Sequence, residues 1–442
     1  MKKLLTLLLI LLFCGSVSAK AVKRDFSGVI NESGVEKNAI AISIKDLDTG
    51  KPVYELNEKI LMHPASVQKV LTLLPAVETL GENYEFTTKV YKRDADSYLV
   101  KLGADPYLTS NDLKKLANNI NLETKRIYID DSVLEKKDWG EGWQWDDDMN
   151  ILMPHFNSYN LDKNLIKITV MPTEKGKSAA IINPSKYPLV FFNHVVTGDE
   201  NGVKASRDNS VSANTLLLEG TVNKPVTIYI PTNNLKRYFD IKLTSALADK
   251  KVYLKENFIS AKQIESDKEL DKISHPLSIA IDDILKNSNN MVSETVSKLA
   301  GGKAYNDRGT DIYGIKLFNK YCEKLGLDSS KIRLTDASGV SKNNLISTDF
   351  ISEYLVKNKD SKVLGHMAKP GEGTLTHRML PIKENLRAKT GTLSDTSSIA
   401  GFLTTKKGHK YAFAIIINDT SSTISDMKTL EDYLIREAYL RL

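Results

Sequence analysis

Helix-and-sheet patterning at both ends of the chain brackets a long middle stretch of short strand-like pieces. This interruption constrains the fold more than any other feature of the sequence. Near the start, residues 39–44 form a short, mainly apolar run that suits a buried strand. Asp48-Thr49-Gly50 is a turn signal, and 53–56 pairs back as a hairpin. Ser66 then opens a helical run whose apolar residues include Val67, Val70, Leu71, Leu74 and Val77. Gly81 ends the run, and Pro75 inside it should kink or shorten the helix. Toward the other end, helical signals cover 277–285 and 291–299, the second stopping at Gly301-Gly302. A hairpin follows over 398–403 and 411–417, then an amphipathic helix over 424–440. In between, 165–170, 216–219 and 226–230 read as strands, and the charged stretch 265–272 as an exposed return linker. The expectation is one discontinuous domain, 20–92 with 272–442, interrupted by β-rich material over 93–271 that forms two nested subdomains. A chain of 442 residues is long enough for that division.

The first residues bear on the compartment. Lys2 and Lys3 make a short positive region, 4–13 is almost uninterrupted hydrocarbon, and Val17-Ser18-Ala19 offers small residues before Lys20. This is the pattern of a cleaved secretory signal peptide over 1–19. An uncleaved anchor would need about 20 apolar residues, and bulky Phe13 disfavours lipid attachment at Cys14. At most peripheral membrane contact is expected. Cleavage leaves Cys322 as the only thiol, so no intramolecular disulfide can form. One cysteine and seven histidines without helical ligand spacing give no metal-binding pattern, and no cofactor is expected. The formal charge of +6 is spread over interspersed acids and bases with no basic tail, which argues against a nucleic-acid partner.

Three short motifs carry the chemistry. Ser66-Val67-Gln68-Lys69 is S-x-x-K, Ser288-Asn289-Asn290 is S-x-N, and Lys389-Thr390-Gly391 is K-T-G. In this order they are the signature of penicillin-interacting serine enzymes. A serine hydroxyl is a poor nucleophile until a base takes its proton. Three residues apart on a helix, Ser66 and Lys69 share a face, and a lysine that is desolvated among other positive charges can lose its proton near neutral pH. The backbone N–H of Ser66, at a helix start, and that of Thr392 could face a developing oxyanion. Lys389 would supply fixed positive charge for a substrate carboxylate, and Gly391 would let substrate approach the strand. Each motif alone is weak. S-x-x-K recurs at Ser425, S-x-N recurs at Ser158, Ser212 and Ser341, and only K-T-G is unique. Taken singly, Ser66 is a helix N-cap, Lys69 and Lys389 are solvated charges, and Ser288 to Asn290 is a polar turn. Order and setting favour the active site.

With those motifs in place the sequence resembles the S13 peptidase family, the class C low-molecular-mass penicillin-binding proteins. These are D-alanyl-D-alanine carboxypeptidases and endopeptidases. His63-Pro64-Ala65-Ser66 resembles the family's PAS approach to the nucleophile helix, Gly103-Ala104-Asp105-Pro106 its GGGDP segment, and Gly142-Trp143-Gln144-Trp145-Asp146-Asp147 its GWxWDD stretch. Asp336-Ala337-Ser338-Gly339-Val340-Ser341 is similar to its DGSGLS loop, Gly373-Thr374-Leu375 to its GTL, and 387–393 to its RAKTGTL. The departures are Asn289 for the commoner Asp, Ala104 and Ala337 for glycines, and Pro75 behind the nucleophile.

The resemblance implies an α+β, penicillin-binding serine transpeptidase-like fold: an antiparallel sheet flanked by helices, with β-rich domains inserted between the first two motifs. It also implies the site roles. Ser66 would attack the carbonyl between the terminal D-alanines of a peptidoglycan stem peptide, with Lys69 as base. Ser288, helped by Lys389, would relay a proton to the leaving amine. Asn290 would hold the substrate amide, and Thr390 and Thr392 would flank the carboxylate and acyl carbonyl. β-Lactams would acylate the same serine. Asp146 and Asp147 have two readings: turn or cap carboxylates, the commoner role, or an acidic group, Asp147 foremost, for the free amine of a diaminopimelate stem. A periplasmic carboxypeptidase leads. The alternatives are a β-lactamase, for which no separate deacylating glutamate can be assigned, and an inactive wall-binding scaffold.

Overall fold

The computed structural model describes residues 26–207, 212–254 and 258–442. The expected signal peptide over 1–19, with Cys14, lies outside the described residues. Among the described residues the strands form four sheets. The first is fully antiparallel, in the order Leu386–Leu393, Thr396–Thr404, Lys410–Asn418, Ile40–Asp46, Pro52–Leu56. Its inner strands read as near-continuous apolar runs because both faces are covered. One face packs on a core that includes Val70, Leu71, Val292, Val296, Ile351 and Tyr354. The other packs on a core with Ile30, Leu430 and Leu434, from the helices Phe26–Glu32 and Ile424–Arg441. The expected hairpins at both ends of the chain are therefore neighbours in one sheet, with helices on either side.

The middle of the chain builds the other three sheets around a separate core that includes Leu113, Ile127, Ile168, Leu218 and Phe239. The expected strands are present as Leu165–Met171, Thr215–Val222 and Val226–Pro231. Three features depart from the sequence reading. The middle also holds the helices Ser110–Ala117 and Leu235–Asp249, each started by a side-chain cap, Thr109 and Asn234. The charged stretch read as a linker lies largely in a strand, Lys268–Pro276, paired antiparallel to Glu85–Lys92 at the edge of a five-stranded sheet. Its charges suit an edge strand, where they discourage pairing with other chains. Because Glu85–Lys92 also belongs to that sheet, the chain passes between sheets near 84 and 277 rather than at 92 and 271.

Two helices near the first sheet also differ from expectation. The helix beginning at Asn290 does not stop at Gly301-Gly302 but runs on to Tyr305, where Asn306 turns left-handed at φ 51°. The glycines serve packing. A side chain on Gly301 would come within 2.6 Å of Gly314 N, and one on Gly302 within 2.7 Å of Gly309 N, so they let Asp311–Leu325 and the segment before it lie against this helix. The nucleophile helix, Lys69–Leu80, continues through Pro75. Proline removes the N–H that would bond Leu71 O, and the buried Tyr354 hydroxyl donates to that carbonyl instead, at 2.8 Å.

Candidate active site

Ser66 sits in a 3₁₀ turn, Ala65–Gln68, that leads directly into Lys69–Leu80. Ala65 is held at φ 47°, a left-handed conformation that is costly for a residue with a Cβ, just before the half-buried Ser66. Lys69 is fully buried. Its Nζ lies 2.8 Å from Ser66 Oγ, 2.6 Å from Asn290 Oδ1 and 2.7 Å from Ser338 O. The amide of Asn290 is oriented by its other end, where Nδ2 donates to Leu152 O at 2.9 Å. Two of the three partners of Lys69 can therefore only accept. A neutral amine has two N–H groups and one lone pair. With both N–H groups spent on Asn290 and Ser338, the lone pair faces the Ser66 hydroxyl.

The carbonyl of Ser338 is held by two buried carboxylates that sequence reasoning did not assign. Asp336 accepts from Trp143 Nε1 (2.9 Å), Gln68 Nε2 (3.0 Å), Gly339 N (2.8 Å), Ser341 N (2.7 Å) and Asn344 Nδ2 (2.8 Å). Glu294 accepts from Ala337 N (3.1 Å) and Ser338 N (2.7 Å). Burial pushes the Lys69 amine down to about 7, and the charges of Asp336 and Glu294 oppose a further fall. Burial, with Asp336 beside it, pushes the Glu294 carboxyl up to about 8. A signal for Glu294 was available: it is a lone acid within an otherwise apolar and small-residue helical run six positions after Ser288. Asp336 lay inside a quoted motif without a role.

Ser288 lies across the site in a turn before the helix Asn290–Tyr305, at φ 64°. Its Oγ takes a hydrogen bond of 2.8 Å from Lys389 Nζ, which also donates to Thr390 O at 2.6 Å. Lys389 is fully buried rather than solvated. Burial and the charge of Lys69 push it well below the ordinary lysine range. Two buried lysines so placed cannot both stay charged. Thr390 Oγ1 donates to Thr374 Oγ1 at 2.6 Å, a neighbour the sequence reading did not name as functional.

The K-T-G strand is the edge of its sheet. Ala388 N–H points away from the neighbouring strand, to Ala368 O at 3.0 Å. By the two-residue period of a strand, the N–H groups of Thr390 and Thr392 point the same way. A side chain at Gly391 would clash with Ser398 Oγ and come within 2.8 Å of Ser66 N, so this edge lies directly against the nucleophile turn. Thr392 itself is exposed. The arrangement offers an open strand edge, two backbone N–H groups beside Ser66 and two hydroxyl–lysine pairs.

Asp147 is half-buried in the 3₁₀ turn Trp145–Met149, just before Leu152, and bonds none of these groups. Burial and the adjacent Asp146 raise its carboxyl, while Lys342 opposes the rise. It caps no helix: the turn is led by Gln144, without a side-chain bond.

Residues 22–436 match the model of the D-Ala-D-Ala carboxypeptidase 3 (S13) family. The chain belongs to that family. Among curated relatives it is 25% identical over 433 residues to D-alanyl-D-alanine carboxypeptidase DacB of Haemophilus influenzae, covering 91% of this chain and 90% of the relative. It is 24% identical over 440 residues to the D-alanyl-D-alanine carboxypeptidase of Actinomadura sp. strain R39, covering 90% and 81%. The crystal structure of penicillin binding protein 4 (dacB) from Haemophilus influenzae superposes with a TM-score of 0.82 at 23% identity, over 94% of this chain and 100% of that one. The α+β penicillin-binding fold expected from the motifs is the fold of the S13 chain described above.

Proposed function

We propose that this chain is a periplasmic serine-type D-alanyl-D-alanine carboxypeptidase that acts on peptidoglycan stem peptides. The same acyl-enzyme chemistry extends to endopeptidase cleavage of cross-links. The observation that carries this reading is the 2.8 Å approach of a buried, neutralisable Lys69 to Ser66 Oγ, beside a second pair in which Lys389 meets Ser288 Oγ, also at 2.8 Å.

Substrate adds along the open edge of Leu386–Leu393, with its terminal carboxylate near Lys389, Thr390 and Thr374. That carboxylate gives buried Lys389 a counter-charge, so Lys389 becomes the charged lysine and Lys69 the neutral one. Lys69 takes the Ser66 proton, Ser66 Oγ bonds the carbonyl carbon, and the oxyanion forms between the N–H groups of Ser66 and Thr392. Ser288, backed by Lys389, passes a proton to the departing D-alanine amine. Water then releases the acyl group. A β-lactam carbonyl follows the same first step. The domain division that fits this use has the first sheet and its helices as the catalytic unit and the middle of the chain as an insertion into it. Export through the N-terminal signal puts the enzyme where its substrate is.

The test is release of D-alanine from a stem pentapeptide. The wild type should release it and Ser66→Ala should not. Rapid, repeated turnover of a chromogenic β-lactam, without D-alanine release, would instead support a β-lactamase. Against that rival, Glu294 is engaged with the backbone of 337–338, and no carboxylate is bonded to Ser66 or Lys69 among the described residues.

A further inference from the structure

We infer that Asp283 is a positioning residue that locks Ser288 into its working conformation, and that its presence is what makes residue 289 an asparagine in this chain. The inference rests on the role of Ser288 proposed above. Ser288 is held at φ 64°, in the left-handed region that a serine does not choose on its own. The residues on both sides of it are gripped by one side chain. Asn287 Nδ2 donates to Asp283 Oδ1 at 3.1 Å, and Asn289 Nδ2 donates to Asp283 Oδ2 at 2.9 Å. The backbone repeats the grip, because Asn287 N and Asn289 N both donate to Asp283 O at 3.2 Å. Asp283 thus straddles the turn, one carboxylate oxygen to each flank of the serine, while Tyr107 Oη reaches Oδ2 from the opposite segment at 3.4 Å.

Asn289 has a second duty. Its Oδ1 accepts from Val292 N at 3.1 Å and so caps the helix Asn290–Tyr305. Its side chain must therefore accept at one end and donate at the other, which an amide does and a carboxylate does not. An aspartate at 289 would still cap the helix, but would set a second carboxylate 2.9 Å from Asp283 in place of a donor. The turn would open at the flank of Ser288. Exchanging the two chemistries restores the fit: with Asp283→Asn and Asn289→Asp together, the amide at 283 donates to the carboxylate at 289 and still accepts from Asn287.

The experiment measures acylation by a fluorescent penicillin and kcat and KM on a stem pentapeptide. Asp283→Ala and Asn289→Asp should each slow acylation about tenfold or more, with the loss in kcat and KM little changed. The double exchange should recover most of the wild-type rate. In a Ser288→Ala background, Asp283→Ala should cost nothing further, because the residue it positions is gone. Wild-type acylation by Asp283→Ala, failure of the exchange to rescue Asn289→Asp, or an undiminished loss in the Ser288→Ala background would each overturn the inference. Absence of labelling in the wild type would instead sink the acyl-enzyme reading on which it stands.

Discussion

Four buried ionisable groups, Lys69, Lys389, Glu294 and Asp336, converge behind Ser66, and their balance sets when the serine can react. Lys69 is the base only when neutral, so acylation should fall as pH drops through about 7, where its proton returns. Glu294 and Asp336 raise Lys69 toward its ordinary value. Asp336 is the stronger of the two opposing charges, so removing it with Asp336→Asn should move this acid limb to lower pH, even if the maximal rate declines because an amide cannot accept from all of its donors. A pH profile of penicillin acylation checks both statements, and an unmoved or upward-shifted limb would contradict them. Ser66, Lys69, Ser288, Asn290 and Lys389 were legible because their spacing is linear in the chain. Glu294 was marked only as a lone acid in an apolar run, and Asp336 not at all, since the partners that give them their work, Ala337 and Ser338 for the one and Gln68 and Trp143 for the other, lie far away in sequence. Lys389 was legible by position but not by state: a K-T-G lysine could as well be a surface charge, and only the fold shows it buried.

Two helices show how an element can break a local rule and be rescued from elsewhere. Pro75 should have kinked or shortened the nucleophile helix, yet Lys69–Leu80 is continuous because Tyr354, from the helix Thr348–Lys357, serves the carbonyl of Leu71. Tyr354→Phe would leave that carbonyl unpartnered in the core and should cost about 1–3 kcal/mol, read as a lower unfolding midpoint in denaturant. An unchanged midpoint would mean the carbonyl has another partner. Gly301-Gly302 misled the sequence reading in the opposite sense. Glycine is the common helix terminator, but here it is the residue that lets two helices touch. Hairpins were read more faithfully than helix ends, since the Thr396–Thr404 and Lys410–Asn418 pair is encoded by apolar runs flanking a charged turn. The strand Lys268–Pro276 escaped because an edge strand carries the charge of a linker.

On the scale of the whole molecule, the chain returns after a long excursion to complete a sheet it began, and the middle segment reaches back over the site it interrupts. Trp143 bonds Asp336, and Leu152 O orients Asn290. Asp147 lies between these two anchors. If it meets the free amine of a diaminopimelate stem, Asp147→Asn should raise KM for amine-bearing muropeptides about tenfold while leaving N-acetylated ones unchanged, and equal kinetics on both would return it to a plain turn residue. The strands at both ends of the chain and in its middle were visible in the sequence, because patterning changes character along the chain. The contacts by which the interruption shapes the active site were not, because they join residues far apart in sequence. The proposed chemistry runs through one bond between Ser66 and the substrate, which a trapped intermediate can display. After brief exposure to penicillin, proteolysis and mass spectrometry should find the penicilloyl group on the peptide carrying Ser66, with Lys69→Ala acylated at least a hundredfold more slowly. An adduct on any other residue, or equal acylation of Lys69→Ala, would contradict it.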